Sequence, residues 1–413
     1  MKNFYLFRKM LFSFMLLIPI GLFAQGGWTQ KADYPLSGRY YGNGFSIAGK
    51  GYFIFGAASG APSTNKLAEY DPATNTWSLK ADFPGGTRPQ SHIFVLNNCA
   101  YTISGVYWSG APLDYTGYSD VWKYDPATDT WTQMNNFPGT ARHAAFSFEF
   151  REKGYFGLGF TADNNFLFDF WEYDPVTDTW TQKNNYPGPG RKSGFQLTIG
   201  DYGYLGMGIS STSGQLSDVW QYYPPTDTWT QKNNYPGTGM GWPAFFVIDN
   251  HGYVATGRKV NVGVTVAEVF RYDPGTDTWT GMTNFAGTAR YAACGFTIDG
   301  KGYTGIGYSN TYENDFWEFT PPTVGIDASS DAKGDVIVSP NPAIGDIQIC
   351  INNPENKEIS VAAFDAAGKM IYNTATGNTS QIVTAERSLF SSGLHYIVVQ
   401  LGEERFVRKL VIE

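Results

Sequence analysis

The sequence predicts an all-β fold, a six-bladed propeller closed by the N-terminal strand and followed by a small antiparallel β-sandwich. Three observations lead to this prediction. A Tyr-Asp-Pro-x-Thr-x-x-Trp motif recurs at nearly constant spacing, short apolar runs separated by turn residues lie between its copies, and the repeat disappears from residues 336–413.

Five tryptophans mark the repeat, with steps of 54, 49, 49 and 50 residues between them: Trp77, Trp131, Trp180, Trp229 and Trp279. A fixed period of about 50 residues indicates an array of one supersecondary unit, in which each copy buries its apolar faces against its neighbours. We expect the repeat tryptophans to belong to this core.

Each repeat contains four short runs with strand periodicity. In the third repeat these strands, called a to d, are predicted at 142–150, 155–159, 169–173 and 179–183. Six copies of strand a occur but only five copies of strand d after them. The segment 27–31 resembles strand d, so we expect it to pair into the sixth blade and close the ring, giving a propeller over 25–323.

Both ends of the chain differ from the repeat. Residues 1–24 combine Lys2, Arg8 and Lys9, an apolar run at 10–23 and the small Ala24, which predicts a cleaved signal peptide. The apolar run is too short for a membrane span. Small polar residues at 324–335 predict a linker, and alternating apolar residues over 336–413 predict the sandwich.

Composition excludes several function classes. The formal net charge is -8 and becomes -11 without the three N-terminal cations, which disfavours nucleic acid as a partner. Cys99, Cys294 and Cys350 fall in separate repeats or domains and predict no disulfide framework. We expect no cofactor and no metal, although paired aspartates in the repeat turns leave a calcium loop as an alternative.

The repeats resemble the kelch family. The resemblance rests on the strand-a arginine, a Gly-Tyr pair opening strand b, as in Gly154-Tyr155, and the motif that follows strand c. It covers roughly 27–320 and implies a six-bladed propeller. The double glycine typical of the family after strand b is here Gly157-Leu158-Gly159 or a single glycine, which weakens transfer from any kelch subfamily.

The C-terminal segment resembles the sorting domain of bacterial type IX secretion. The motifs are Ser-Pro-Asn-Pro at 339–342, Phe-Asp-x-x-Gly-Lys at 364–369, Ser-Gly-Leu-His-Tyr at 392–396 and the ending Arg-Lys-Leu-Val-Ile at 408–412. The resemblance implies passage through outer-membrane secretion machinery, then release or attachment to the outer cell surface. An ordinary accessory sandwich is the alternative.

Turns alternate between the two ends of a four-stranded meander, so the b–c and d–a loops share one face of the ring. These loops vary in length and content, which favours them as the binding surface. Candidate ligand-binding residues on this face are five arginines that begin strand a and two tryptophans: Arg39, Arg88, Arg142, Arg191, Arg290, Trp108 and Trp242.

The arginines have a second interpretation. Acids begin strand c on the same face in five repeats: Asp120, Asp169, Asp218, Glu268 and Asp315. Intramolecular pairing would leave one arginine and one acid over, because Lys66 replaces the acid in the first repeat and Met240 replaces the arginine in the fifth.

Two function classes remain. The first is an exported, non-catalytic binding or adhesion module for a glycan or protein. The second is a carbohydrate enzyme, since exported six-bladed kelch propellers resemble sialic acid mutarotases. Proton transfer needs an acid or base, and His92, His143 and Glu149 on strand a are the candidates.

Overall fold

The computed structural model describes most of the chain beyond the N-terminal segment. The described residues are 26–58, 63–108, 115–211, 214–321, 336–339, 343, 345–353, 356–366, 368–377, 379, 381–402 and 404–412. The predicted signal peptide (1–24) and linker (324–335) lie outside them.

Six four-stranded antiparallel sheets form the repeat region, and we call them blades 1 to 6. Strand β1 is Gly27–Gln30. Blade 1 contains β2 (Tyr40–Ile47), β3 (Lys50–Ala57), β4 (Leu67–Asp71) and β5 (Thr76–Leu79). Blade 2 contains β6 (His92–Leu96), β7 (Cys99–Ile103), β10 (Val121–Asp125) and β11 (Thr130–Met134), and between β7 and β10 lies a hairpin of β8 (Val106–Trp108) and β9 (Tyr115–Gly117).

Blade 3 contains β12 (Phe146–Phe150), β13 (Lys153–Gly157), β14 (Phe170–Asp174) and β15 (Thr179–Lys183). Blade 4 contains β16 (Phe195–Ile199), β17 (Tyr202–Gly206), β20 (Val219–Tyr223) and β21 (Thr228–Lys232), with a hairpin of β18 (Ile209–Ser210) and β19 (Gly214–Gln215). Blade 5 contains β22 (Ala244–Ile248), β23 (His251–Lys259), β24 (Val264–Asp273) and β25 (Thr278–Gly281). Blade 6 contains β26 (Cys294–Ile298), β27 (Lys301–Gly305), β28 (Phe316–Thr320) and β1.

The N-terminal strand pairs with the last strand of the repeat region, as predicted. Strand β1 runs antiparallel to β28, with Trp28 opposite Phe319. The Trp28 ring packs at 5.0 Å from Phe285 of the preceding blade, and its indole N–H donates to the Thr283 carbonyl at 3.3 Å. Blade 6 in turn contacts blade 1, where the Phe296 and Phe53 rings lie 5.5 Å apart.

Six main-chain hydrogen bonds link the innermost strands across all six blades. The residue involved in each blade lies two positions after the arginine of strand a, or after Met240 in blade 5. Its main-chain N–H donates to the main-chain carbonyl of the corresponding residue in the preceding blade. The six residues are Tyr41, Gln90, Ala144, Ser193, Trp242 and Ala292, and the last supplies the acceptor for the first. We call this circle of bonds the inner ring.

All six inner-ring residues have a left-handed backbone, with φ between 48° and 62°. A non-glycine residue in this region costs about 1–2 kcal/mol, so the hydrogen bonds of the inner ring offset local strain. The kink also explains why the regular strand of blade 3 begins at residue 146, later than the predicted 142.

The repeat motif fastens each blade to its neighbour. In blade 2 the second turn aspartate, Asp129, accepts hydrogen bonds from the Tyr124 hydroxyl of its own blade and from the Ala81 N–H of the preceding blade. The Trp131 indole donates to the carbonyl of the same Ala81 at 3.1 Å. Asp178, Asp227 and Asp277 make the equivalent contacts, and Asn75 replaces them in blade 1. These side chains therefore act as interblade latches.

The C-terminal segment folds as two facing sheets. One contains β29 (Val336–Ser339), β30 (Ile347–Ile351) and β33 (Gln381–Ala385); the other contains β32 (Met370–Thr376), β31 (Ile359–Asp365), β34 (Gly393–Leu401) and β35 (Glu404–Ile412). Apolar residues of both sheets, including Ile349 and Ile397, form a single core. Short 3-10 segments occur at Pro224–Thr226, Val260–Val262 and Arg387–Leu389.

The latch can be tested at Asp129, which has φ 54°. We expect Asp129→Gly to lower the free energy of unfolding by about 1–3 kcal/mol, because the Tyr124 hydroxyl and the Ala81 amide lose their acceptor while the backbone geometry stays accessible. Urea denaturation followed by fluorescence measures the change. Asp129→Asn is the matched control and should be nearly neutral, since Asn75 makes the same contact in blade 1; equal losses in both variants would contradict the latch.

Candidate functional site

The b–c and d–a loops emerge on one side of the propeller, which we call the loop face; the opposite side is the turn face. Several of the variable loops form β-hairpins. Blades 2 and 4 carry β8/β9 and β18/β19, and in blade 5 the strands β23 and β24 continue outward to Lys259 and Val264. The loop face is therefore a set of short β-ribbons around the axis.

Four of the five candidate arginines pair with carboxylates of their own blades. The pairs are Arg88–Asp120, Arg142–Asp169, Arg191–Asp218 and Arg290–Asp315. Each is bidentate, as in blade 3, where the Nη1–Oδ1 and Nη2–Oδ2 distances are both 2.7 Å. All four arginine side chains are fully buried, so their guanidinium groups contact aspartates in place of a ligand.

A tryptophan two residues after the acid completes each pair. The Trp171 indole donates to Asp169 at 2.8 Å, and Trp122, Trp220 and Trp317 do the same in their blades. Burial acts to raise the pKa of Asp169, but the hydrogen bonds and charge of Arg142, with the indole, outweigh burial and hold that pKa below its ordinary value. The pKa values of Asp120 and Asp218 are lowered by the same contacts, so these two carboxylates and Asp169 are ionised at neutral pH.

Blades 1 and 5 lack this pair, in agreement with the intramolecular interpretation. In blade 5 the side chain of Met240 is buried, and Glu268 binds Lys259 at 2.6 Å instead. In blade 1 Arg39 is 8% exposed, and its Nε and Nη1 atoms have no hydrogen-bond partner among the described residues. Arg39 and Glu268 are therefore the one arginine and the one acid that do not take part in an arginine–carboxylate pair of this kind.

The innermost strands surround a central cavity of about 360 Å³. Uncharged polar side chains line much of it: the Gln196 amide exchanges hydrogen bonds with Ser147, and Asn43 donates to Ser91 at 2.7 Å. Two lining residues, Ser193 and Trp242, each keep one buried polar atom without a hydrogen-bond partner among the described residues: Oγ and Nε1. Buried polar groups are normally paired, so these atoms favour a polar occupant of the cavity.

Glu149 is the one carboxylate among the described lining residues of the central cavity. It also lines a second cavity of about 310 Å³ toward the turn face. Burial raises the pKa of Glu149 to about 7. A carboxyl group with that pKa exchanges protons readily near neutral pH.

The two candidate histidines stay neutral and differ in position. His92 lines the central cavity, and burial lowers its pKa to about 3. His143 packs at 5.5 Å from the Phe160 ring, and burial lowers its pKa to about 4. It does not belong to the described lining of the cavity, so Glu149 and His92 are better placed for chemistry there.

Blades 1, 5 and 6 together present an aromatic surface at the loop face. We call it the aromatic patch, and it consists of Tyr40, Tyr41, Trp242, Tyr291, Tyr308 and Tyr312. The Trp242 ring lies 6.0 Å from Tyr41 and 5.6 Å from Tyr291. Five of the six side chains are partly exposed, and Tyr41 and Trp242 also line the mouth of the central cavity.

Of the two candidate tryptophans, only Trp242 belongs to this patch; the side chain of Trp108 lies outside the described residues. Sequence reasoning missed the five tyrosines. Three of them had a signal in the variation just after the recurring arginine, where Arg39-Tyr40-Tyr41 and Arg290-Tyr291 place aromatic residues at positions that other repeats fill with Pro89 or Lys192. The other two, Tyr308 and Tyr312, belong to the variable b–c loop of blade 6. The arrangement of blades 5, 6 and 1 side by side in the ring brings these residues together on the loop face.

The C-terminal segment 338–413 matches the family described as secretion system C-terminal sorting domain. The solved structure of YjhT is similar to 70% of this chain and 96% of its own, with a TM-score of 0.59 and 15% identity. The kelch-like protein terF of Aspergillus terreus is 28% identical over 125 residues, which is 29% of this chain and 27% of that protein. The protein is a kelch propeller with a type IX sorting domain.

Further relatives of this kelch propeller are N-acetylneuraminate epimerases of Salmonella. The proteins of Salmonella typhi and Salmonella typhimurium are each 30% identical over 135 residues, or 33% of this chain. The match spans about a third of the length of those relatives. The sorting domain marks the kelch propeller for type IX export, to the cell surface or into the medium, and for interaction with that secretion machinery.

Other site classes find no support in the described part of the kelch propeller. No three His, Cys, Asp or Glu side chains there form a group that would hold a metal. Cys99, Cys294 and Cys350 are free thiols, the first two buried. Among the described helices, none is long and apolar enough to cross a bilayer.

Proposed function

We propose that the kelch propeller is an exported, non-catalytic glycan-binding module. Its binding site is the aromatic patch together with the mouth of the central cavity. The aromatic patch is the observation that carries the proposal, because a cluster of partly exposed tyrosine and tryptophan rings offers flat apolar faces edged by hydroxyl and indole N–H groups.

A sugar matches both parts of this surface. The C–H face of a pyranose ring packs on an aromatic ring, and its hydroxyls need hydrogen-bond partners. Trp242 provides both, since its ring belongs to the patch, the residue lines the cavity, and its buried Nε1 has no hydrogen-bond partner among the described residues. Ser193 adds a second unpartnered atom, and its carbonyl accepts the Trp242 N–H in the inner ring.

The frame beneath the patch is rigid. Tyr41, Trp242 and Ala292 occupy three consecutive positions of the inner ring, so the backbone fixes the orientation of the two aromatic side chains. A preorganised site loses little conformational entropy when its ligand binds. Export through the sorting domain places such a site where extracellular glycans are available.

A glycan array probed with the purified full chain tests this proposal, followed by titration calorimetry on the glycan that gives the strongest signal. We expect Trp242→Ala to weaken affinity about tenfold or more, because truncating a central aromatic contact typically costs about 2 kcal/mol. The control is Tyr202→Ala on the turn face, where the Tyr202 ring packs at 5.0 Å from the Tyr223 ring. Loss of affinity in both variants, or in neither, would exclude the patch as the site.

A carbohydrate enzyme is the second candidate function, and Glu149 is the observation that favours it. Its carboxyl group lies in a sugar-sized cavity and has a pKa raised by burial to about 7. Several relatives are named N-acetylneuraminate epimerase. Together with the resemblance to sialic acid mutarotases, this name makes proton transfer at an anomeric centre the reaction to test. In that role Glu149 would act as the general acid or base.

NMR of freshly dissolved N-acetylneuraminate anomers tests this second candidate. We expect acceleration of anomer interconversion by the wild-type protein and return to the uncatalysed rate in Glu149→Gln. If the ionised carboxylate is the base, the rate rises with pH through about 7, because protonation below that pKa removes the base. Absence of acceleration, or acceleration that survives Glu149→Gln, would reject the enzyme.

A further inference from the structure

Arg39 differs from its four counterparts because no carboxylate of the described residues pairs with it. In blades 2, 3, 4 and 6 the same arginine holds an aspartate through two parallel N–H bonds, with a tryptophan indole as a third donor. In those four blades the aspartate lies directly before strand c, and the tryptophan follows it by two residues. Blade 1 has Lys66 in place of the aspartate and Ala68 in place of the tryptophan. One repeat has therefore kept the arginine and lost both of its partners.

Lys66 does not replace the missing contacts. Its ammonium group binds Asp82 at 2.5 Å, and both side chains are more than 40% exposed. Glu313 is a second acid close to Arg39, since its carbonyl accepts the Arg39 N–H. The Glu313 carboxylate instead accepts hydrogen bonds from Ser309 and Thr311. Residues 59–62, which lie outside the described residues, read Ser-Gly-Ala-Pro and contain no acid.

The Arg39 guanidinium is consequently a buried charge without a counter-ion among the described residues. Nη2 donates to the Ser37 hydroxyl at 3.2 Å, while Nε and Nη1 have no partner. Burial lowers the pKa of Arg39 from its ordinary value, which shows that the site disfavours an isolated cation. A buried charge of this kind is normally paired.

We infer that Arg39 forms a carboxylate-binding site in blade 1, which a ligand carboxylate fills in the way an aspartate does in blades 2, 3, 4 and 6. The planar guanidinium fork matches the two oxygens of a carboxylate. The four internal pairs define the expected geometry: in blade 2 the two N–O distances are 2.7 and 2.9 Å. Because Ala68 replaces the tryptophan, blade 1 lacks the indole N–H that donates to the aspartate in those four blades.

The carboxylate site adjoins the aromatic patch through Tyr40, the residue after Arg39. A ligand that rests on the patch and carries a carboxylate would reach both. The inference does not require the proposed glycan, however, because any small carboxylate would occupy the fork. Acetate therefore tests the site even if no glycan binds, and the two proposals fail separately.

The experiment measures thermal unfolding of the full chain in sodium acetate and in sodium chloride at equal ionic strength, with saturation-transfer NMR of acetate as the direct readout of binding. We expect acetate to raise the Tm of the wild-type protein by about 2–4 °C relative to chloride. Arg39→Gln should abolish the rise and the NMR signal.

Lys66→Asp is the decisive variant, because it restores the internal carboxylate and keeps Arg39. We expect its Tm in chloride to exceed that of the wild type and to show no further rise in acetate. If Lys66→Asp responds to acetate as the wild type does, or if the wild type shows neither a Tm rise nor an NMR signal, the site does not exist. The comparison of Lys66→Asp with the wild type can be made even if Arg39→Gln fails to fold.

Discussion

Everything at the loop face depends on the inner ring, the circle of six hydrogen bonds that joins the innermost strands. Each bond uses a residue with left-handed backbone and links one blade to the preceding one. The circle needs all six members, because Ala292 of blade 6 accepts from Tyr41 of blade 1. It sets the spacing of the blades, the width of the central cavity and the direction of the side chains at its mouth.

Closure of the circle is supported at the outer edge by a different set of contacts. The second aspartate of the repeat turn joins neighbouring blades in blades 2 to 5, and Asn75 does so in blade 1. At the junction between the chain ends, Trp28 donates to the Thr283 carbonyl in the place of a repeat tryptophan. The motif that identifies the repeat is therefore structural. The two sites proposed above lie instead where the repeat varies, as at Lys66, Ala68 and Trp242.

The propeller could be predicted from the sequence because its blades are copies of one repeat. The missing sixth copy of strand d pointed to the segment at Trp28, and the count of arginines and acids predicted one unpaired member of each. The identity of those members followed only from coordinates: pairing within a blade leaves Arg39 and Glu268, whereas pairing between blades would have left others.

The site was harder to predict because it joins residues far apart in the chain. Tyr41, Trp242 and Tyr291 belong to three different repeats, and only Trp242 was a candidate from its own repeat. Burial of the arginines was also hidden, since a strand-start arginine can face solvent or its own blade. Glu149 gave no sequence signal for its raised pKa, which arises from the depth of the cavity that six strands enclose.

Native-state hydrogen exchange of the six inner-ring amides tests the central claim most directly. If the six blades form one closed ring, the amides of Tyr41, Gln90, Ala144, Ser193, Trp242 and Ala292 should exchange slowly and with one common opening free energy, that of global unfolding. Rapid exchange confined to Tyr41, at the junction of blades 6 and 1, would show an open array and would contradict the account of the loop face.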